Sequence, residues 1–384
     1  MSRLALVGPV HPLRGGIAQH TAGIALEARR RGHDVRVFSY RRLYPKILFP
    51  GRTQLDPGAA PMGVPREVVS ESIDSIAPRS WLETAREVAA CRPNAVFLQR
   101  WHPFFAPPLA LVARRARRDR IPIVWLVHNA RPHEGAGWPW GPLLTLGFDP
   151  RDTCIVHAEG ERATLAALGV DSPVRLLPMP TPSRVARIER AEARRRFGLA
   201  DDVVVFLFVG HVRRYKGVDV LLEALARLPA EGRAWCAIIA GEWYVDREPA
   251  IERARLPPLA GRVRIDDRFL PEHDLSAYLS AADAVVLPYR AGTQSAVVPL
   301  AYAHGRPVVT TRVGGIAEAL REGETGLLVP PEDPAALAAA LDRVRRGHPF
   351  SAAAIAEAHA RASFEPFLDL FEELRRSARP DAET

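Results

Sequence analysis

Seven consecutive apolar residues, Val203 to Val209, run directly into Gly210-His211-Val212-Arg213-Arg214-Tyr215-Lys216-Gly217 and then into the periodic segment Val218 to Leu228. An apolar run without alternation reads as a strand buried on both faces, and a sheet made of such strands must be covered by helices on both sides. The order of strand, glycine turn with cations, and helix is also what a phosphorylated ligand requires. Backbone N–H groups at a helix start face the phosphates, and Arg213 and Lys216 supply mobile positive charge. The same order occurs as plain architecture in α/β proteins. What raises the phosphate reading is a second glycine pair, Gly314-Gly315 followed by Glu318, just after another strand-like run.

The alternation extends along the whole chain. The first part reads as strand Leu4–Val7, helix Ile17–Arg31 and strand Asp34–Ser39, then a polar, Pro-rich stretch from Tyr44 to Pro65. Helix Trp81–Ala90, strand Ala95–Gln99, helix Pro108–Arg118, strand Ile123–Val127, strand Thr153–Val156 and helix Glu159–Leu168 follow. Three prolines in Leu177-Pro178-Met179-Pro180-Thr181-Pro182 mark a linker, because they remove backbone donors that a continuing element would need. The pattern restarts at Val203, with strands at Trp235–Ala240, Val263–Ile265, Ala284–Leu287, Pro307–Thr310 and Leu327–Val329. Short apolar runs between helical patterns predict mostly parallel sheets, so the fold class is α/β, two doubly wound Rossmann-like domains in tandem. The expected boundaries are residues 1–178 and 179–363, with an apolar-striped helix at 364–376 that must dock on one of the domains.

At 384 residues the length suits two domains, and 25% charged residues with 47% apolar suit a globular chain. Cys91, Cys154 and Cys236 lack metal-ligand spacing and read as buried thiols. No stretch approaches the roughly eighteen apolar residues of a membrane span, and the N-terminus becomes a strand at once, so a cytoplasmic protein is expected. The formal charge of +8 is concentrated early, at Arg29-Arg30-Arg31, Arg41-Arg42 and Arg114 to Arg120. That field favours an anionic partner; without a recognition-helix, zinc-finger or RNA-binding pattern, nucleic acid is not expected. Peripheral contact with an anionic membrane, on its inner face, fits the same charge together with Trp101-His102-Pro103-Phe104-Phe105.

Three further motifs carry chemistry. Gly15 and Gly16 open a helix after the first strand and let a ligand approach backbone N–H groups. His128 and Asn129 follow the strand Ile123–Val127, where an imidazole faces a developing negative charge or a sugar hydroxyl, although a structural histidine fits the position too. His102 is a second polar tip on that edge, and His133-Glu134 is a pair without a third metal ligand. In Tyr289-Arg290-Ala291-Gly292-Thr293-Gln294-Ser295 the groups of Thr293, Gln294 and Ser295 suit a phosphate or sugar. Glu318 suits vicinal ribose hydroxyls, or an acid at a helix start.

Together these motifs resemble a retaining glycosyltransferase of family 4 with the two-domain GT-B fold, over nearly the whole length. The resemblance implies two domains facing a central cleft, a C-terminal helix, 364–376, that packs back on the N-terminal domain, a nucleotide diphosphate sugar held by the C-terminal domain, and a glycan, lipid-linked or small-molecule acceptor on the other. It makes Arg213 and Lys216 the diphosphate clamp and electrophilic catalysts, Glu318 the ribose ligand, Gly16 a phosphate or sugar contact and His128 a contact to the transferred sugar. It implies no metal and no cofactor beyond the co-substrate, and a role in polysaccharide or cell-envelope synthesis. The usual pair of glutamates is replaced by Gly292 and Leu300, and a Tyr-Arg-x-x-Thr-Gln-Ser loop of one branch stands there instead. Tyr44 to Gly51 resembles an acceptor-side loop of that branch. A catalytically silent partner of a polysaccharide assembly complex and a nucleotide-sugar epimerase are the alternatives.

Overall fold

The computed structural model describes residues 2–45, 53–56, 63–132, 140–181 and 187–377. The chain divides into two compact units, one of Met1–Ser183 with Ser363–Thr384 and one of Arg184–Ala362.

The first unit is built on seven strands, β1 (Arg3–Val7), β2 (Asp34–Arg42), β3 (Val69–Asp74), β4 (Ala95–Arg100), β5 (Ile123–Val127), β6 (Thr153–Val156) and β7 (Val174–Leu176). They lie in the order β3-β2-β1-β4-β5-β6-β7, all parallel. In β1 the period of two is plain: Ala5 and Val7 join one apolar cluster, Leu4 and Leu6 the other. The helices Pro78–Ala90 and Ala106–Arg118 cover the first face, with Val88, Leu109 and Val112 buried there. On the second face the helix Gly16–Arg30 packs beside the terminal helix Glu365–Ser377, whose Phe367, Leu368 and Phe371 are fully buried. Gly23 of the first lies against Phe364, the residue before the second, where an added Cβ would lie 2.0 Å from the ring.

The second unit has six parallel strands, β8 (Val204–Val209), β9 (Trp235–Ala240), β10 (Val263–Asp266), β11 (Ala284–Leu287), β12 (Val308–Thr311) and β13 (Gly326–Val329), in the order β10-β9-β8-β11-β12-β13. In each sheet the order reverses once, between β1 and β4 and between β8 and β11. Those switch points are where a doubly wound sheet leaves a crevice beyond its strand C-termini.

Two strands depart from the sequence expectation. β3 lies in Val69-Ser70-Glu71-Ser72-Ile73-Asp74, which is too polar to read as a core strand, and it pairs with β2 alone. β7 is three residues long and only partly buried, directly before the prolines. Both are edge strands, which natural sheets keep short or polar.

Candidate functional site

In the second unit the loops leaving β8, β11 and β12 are tied together through their backbones. Arg290 N–H donates to the Tyr215 carbonyl at 2.7 Å, and Gly315 N–H to that of Thr293 at 2.9 Å. Glycine is required at two of these contacts. A Cβ at Gly217, φ +66°, would sit 2.0 Å from the Pro288 carbonyl oxygen, and one at Gly314, φ +44°, equally close to that of Gly292. The sequence places glycine where one loop's backbone must touch the next.

This packing gathers most of the donor-side residues expected from the sequence. Arg213 stands at the entry to a 3-10 turn, Arg214–Lys216, with its guanidinium 4.8 Å from the centre of the Tyr244 ring. Lys216 Nζ lies 5.4 Å from the Tyr289 ring centre, over Gly210, where a Cβ would be 3.3 Å away. Burial pulls the Lys216 ammonium below its ordinary pKa; Tyr215 opposes the shift and Arg213 adds to it. A bound anion would reverse that shift, coupling binding to proton uptake. Ser295 Oγ accepts from Val297 N–H at 3.3 Å and lies 3.4 Å from the Tyr289 hydroxyl. The Gln294 amide is buried with neither its oxygen nor its nitrogen hydrogen-bonded. A buried amide without partners is costly unless a ligand completes it. Arg290, by contrast, is committed to Asp219 and Glu332, and so braces the loops. Glu318 is exposed and ends the short helix Gly314–Glu318, so the expectation of an acid at a helix start is corrected. The helix is five residues long and has no acid in its first turn.

In the first unit Gly15, φ +116°, is the N-cap of the helix Gly16–Arg30, and open space surrounds both glycines where a side chain would stand. His128 is buried directly after β5; its Nε2 meets Gln99 Oε1 at 2.6 Å, and Asn129 Nδ2 donates to the Trp101 carbonyl. Gln99 Nε2 in turn reaches His20 Nδ1 at 3.1 Å, and His157 Nδ1 lies 2.9 Å from the Leu177 carbonyl. Sequence reasoning missed this network. Its one available signal is that His157 follows β6 as His128 follows β5; the part of His20 and Gln99 appears only once the strand order is known. Burial holds His20 and His128 well below the usual histidine pKa and pulls His157 down to about 4.

His20, His128 and His157 each offer a ring nitrogen, all within 4.8 Å of one another, and the Nε2 atoms of His20 and His157 have no partner. Neutral imidazoles suit zinc or a similar ion. However, the Gln99 amide already occupies a nitrogen on two of the three rings. His102 instead caps the turn Pro103–Phe105 by accepting from Phe104 N–H. His133-Glu134 and most of Tyr44 to Gly51 lie outside the described residues. Cys91, Cys154 and Cys236 are free thiols. Among the described residues no helix is long and apolar enough to cross a membrane.

Two protein families match this sequence, one described as Glycosyltransferase Family 4 over residues 14–182 and one as Glycosyl transferases group 1 over residues 203–346. A D-inositol 3-phosphate glycosyltransferase of Geodermatophilus obscurus is 38% identical over 207 residues, 52% of this chain and 41% of its own. One from Acidothermus cellulolyticus is 28% identical over 86% of this chain and 78% of its own. Among solved structures, Anabaena HepE with UDP-glucose superposes with a TM-score of 0.73 at 16% identity, covering 98% of this chain and all of that one. Sucrose-phosphate synthase from Thermosynechococcus elongatus gives 0.68 at 22% identity, covering both chains fully.

Proposed function

We propose, starting from a chain that has the GT-B fold and is related to the family 4 and group 1 glycosyltransferases, that this protein moves a hexose-type sugar from a nucleotide diphosphate sugar to a glycan, lipid-linked or small-molecule acceptor with retention of configuration. The observation that carries the reading is the loop cluster at the β8/β11 switch point, where Lys216 lies over Gly210, Arg213 lies over the Tyr244 ring, and the Gln294 amide is buried without a partner. Arg213 and Lys216 neutralise the leaving diphosphate, the groups of Thr293, Gln294 and Ser295 with the N–H group of Gly314 hold donor oxygens, Gly315 ties its turn to Thr293, and Glu318 accepts from ribose hydroxyls. In the first unit Gly15 and Gly16 offer backbone N–H groups, and His128 offers a neutral imidazole to hydroxyls. The acceptor hydroxyl attacks the anomeric carbon on the face that the diphosphate leaves, without a nucleophilic side chain. The leaving phosphate oxygen takes the hydroxyl proton. The cations replace a metal at the diphosphate, so transfer is expected to survive chelation by EDTA. Loss that zinc restores would instead assign a part to His20, His128 and His157.

The test is a thermal shift series with UDP, GDP, ADP, TDP and their sugar conjugates on the native chain, Lys216→Ala and Glu318→Ala. UDP and UDP-glucose come first because a fold relative binds them. One nucleotide family at about 100 times its Kd should stabilise the native chain by about 2.7 kcal/mol, and both substitutions should reduce the shift. A folded protein that no nucleotide shifts would sink the reading. The replacement of two glutamates by Gly292 and Leu300 favours a catalytically silent partner as the second reading, and nucleotide binding without sugar transfer would support it.

A further inference from the structure

At the opposite end of the first sheet, beside the starts of β4 and β5, a cavity of about 600 Å³ is lined by Arg86, Arg92, Asn94, Arg115, Arg120 and Arg375. Elsewhere in this protein arginines reach carboxylates, as Arg31, Arg117, Arg190 and Arg194 do. Around the cavity only Arg115 has an acid, Asp119 at 3.0 Å. Among the described residues the guanidinium groups of Arg86, Arg92 and Arg120 have no hydrogen-bond or ion-pair partner. Arg375 donates to the Ser2 hydroxyl, and its buried Nε has no partner.

The backbone singles out the same place. Among the described residues five α-helices are followed by a glycine in the left-handed region: Gly32, Gly169, Gly198, Gly305 and Gly347. That is the usual way to end a helix, because glycine alone takes the conformation without strain. The helices Pro78–Ala90 and Ala106–Arg118 end the same way, but on Arg92 at φ +44° and Arg120 at φ +56°. Both of these strained arginines line the cavity. The helix dipole does not account for Arg120, since Arg115, Arg117 and Arg118 already fill the last turn of that helix. Strain retained at two converging cationic positions points to a function that glycine would not serve.

We propose that this cavity is a second ligand site, one that takes a phosphate-bearing anion. Guanidinium groups match phosphate oxygens in pairs, and although Arg86, Arg92, Arg115 and Arg120 are exposed to water and Asp119 also lines the cavity, this excess of positive charge favours a ligand of more than one negative charge, or several ligands of one. The same chemistry is offered by a soluble phosphate or pyrophosphate and by the headgroup of an anionic phospholipid.

The experiment compares the full chain with the double variant Arg92→Gly, Arg120→Gly, both carrying Lys216→Ala to silence the donor side. Inorganic phosphate and pyrophosphate are titrated calorimetrically at matched ionic strength, and vesicles of phosphatidylcholine with and without phosphatidylglycerol are sedimented with the protein. Relief of backbone strain should raise the double variant's Tm by about 2–4 °C, so a loss of binding there cannot be a loss of fold. Binding of free phosphates that falls at least tenfold in the variant assigns a soluble ligand; sedimentation only with phosphatidylglycerol, lost in the variant, assigns a lipid headgroup. Binding of equal strength in both proteins, or none with either probe, would overturn the proposal.

Discussion

Glu161 is buried near the start of the helix Glu159–Ala167, and its carboxylate accepts from Ala130 N–H at 2.5 Å. Burial pushes its pKa up to about 7, with the Ala130 hydrogen bond opposing the rise, against 4.5 for an ordinary glutamate. A group whose pKa is raised by folding contributes stability that is fully present below 4.5 and is lost as pH rises through 7. Glu161→Gln keeps the acceptor oxygen and removes the ionisation. It should therefore raise Tm at pH 8, by up to about 3 kcal/mol of stability, with no gain at pH 4; equal Tm values at pH 8 would show that the carboxylate ionises without cost. Single residues also mark the limit of what the sequence discloses. Arg213 and Lys216 stand out because glycines flank them, and Gln294 because it sits in a recognisable loop. His20, Gln99 and His157 are far apart in sequence and meet only through the crossing of β1 to β4.

Elements were legible in proportion to their burial. Wherever strands are covered on both faces, as in β8, β9 and β11, continuous apolar runs announce them within a residue or so. The polar β3 and three-residue β7 carry no such run, because their outer edges need not be apolar. Glycine roles divide in a similar way between neighbours on one helix. Gly23→Ala would drive a methyl into the Phe364 ring and should cost about 1–3 kcal/mol. Gly16→Ala meets open space and should leave stability within about 0.5 kcal/mol of native while weakening ligand binding. Thermal melts with nucleotide titrations on both variants check this, and a large Tm loss for Gly16→Ala would make that glycine structural.

For the molecule as a whole, the informative fact is that the first unit is made from two separate stretches of chain. Removing residues 363–384 takes Phe364, Phe367, Leu368 and Phe371 from the second face of its sheet, yet no part of the core around β8 to β13. Calorimetry should show the truncated chain losing or lowering the transition of the first unit while that of the second stays near its native temperature. A uniform drop in both would mean that the two units melt as one. The apolar stripe of Phe364 to Leu374 was visible in the sequence, and its burial follows from amphipathicity; which sheet receives it did not follow from the residues, because both offered apolar faces, and only the family resemblance pointed to the first domain, where it lies.

That arrangement sets the order of events during synthesis. The stretch 187–362 is translated in full between the first half and the helix that completes the cover of the earlier sheet. The half made first must therefore wait with one face of its sheet covered by the helix Gly16–Arg30 but not yet by its partner, and a chaperone holding a nascent chain of this protein would be expected to find its longest-lived greasy surface on the oldest residues.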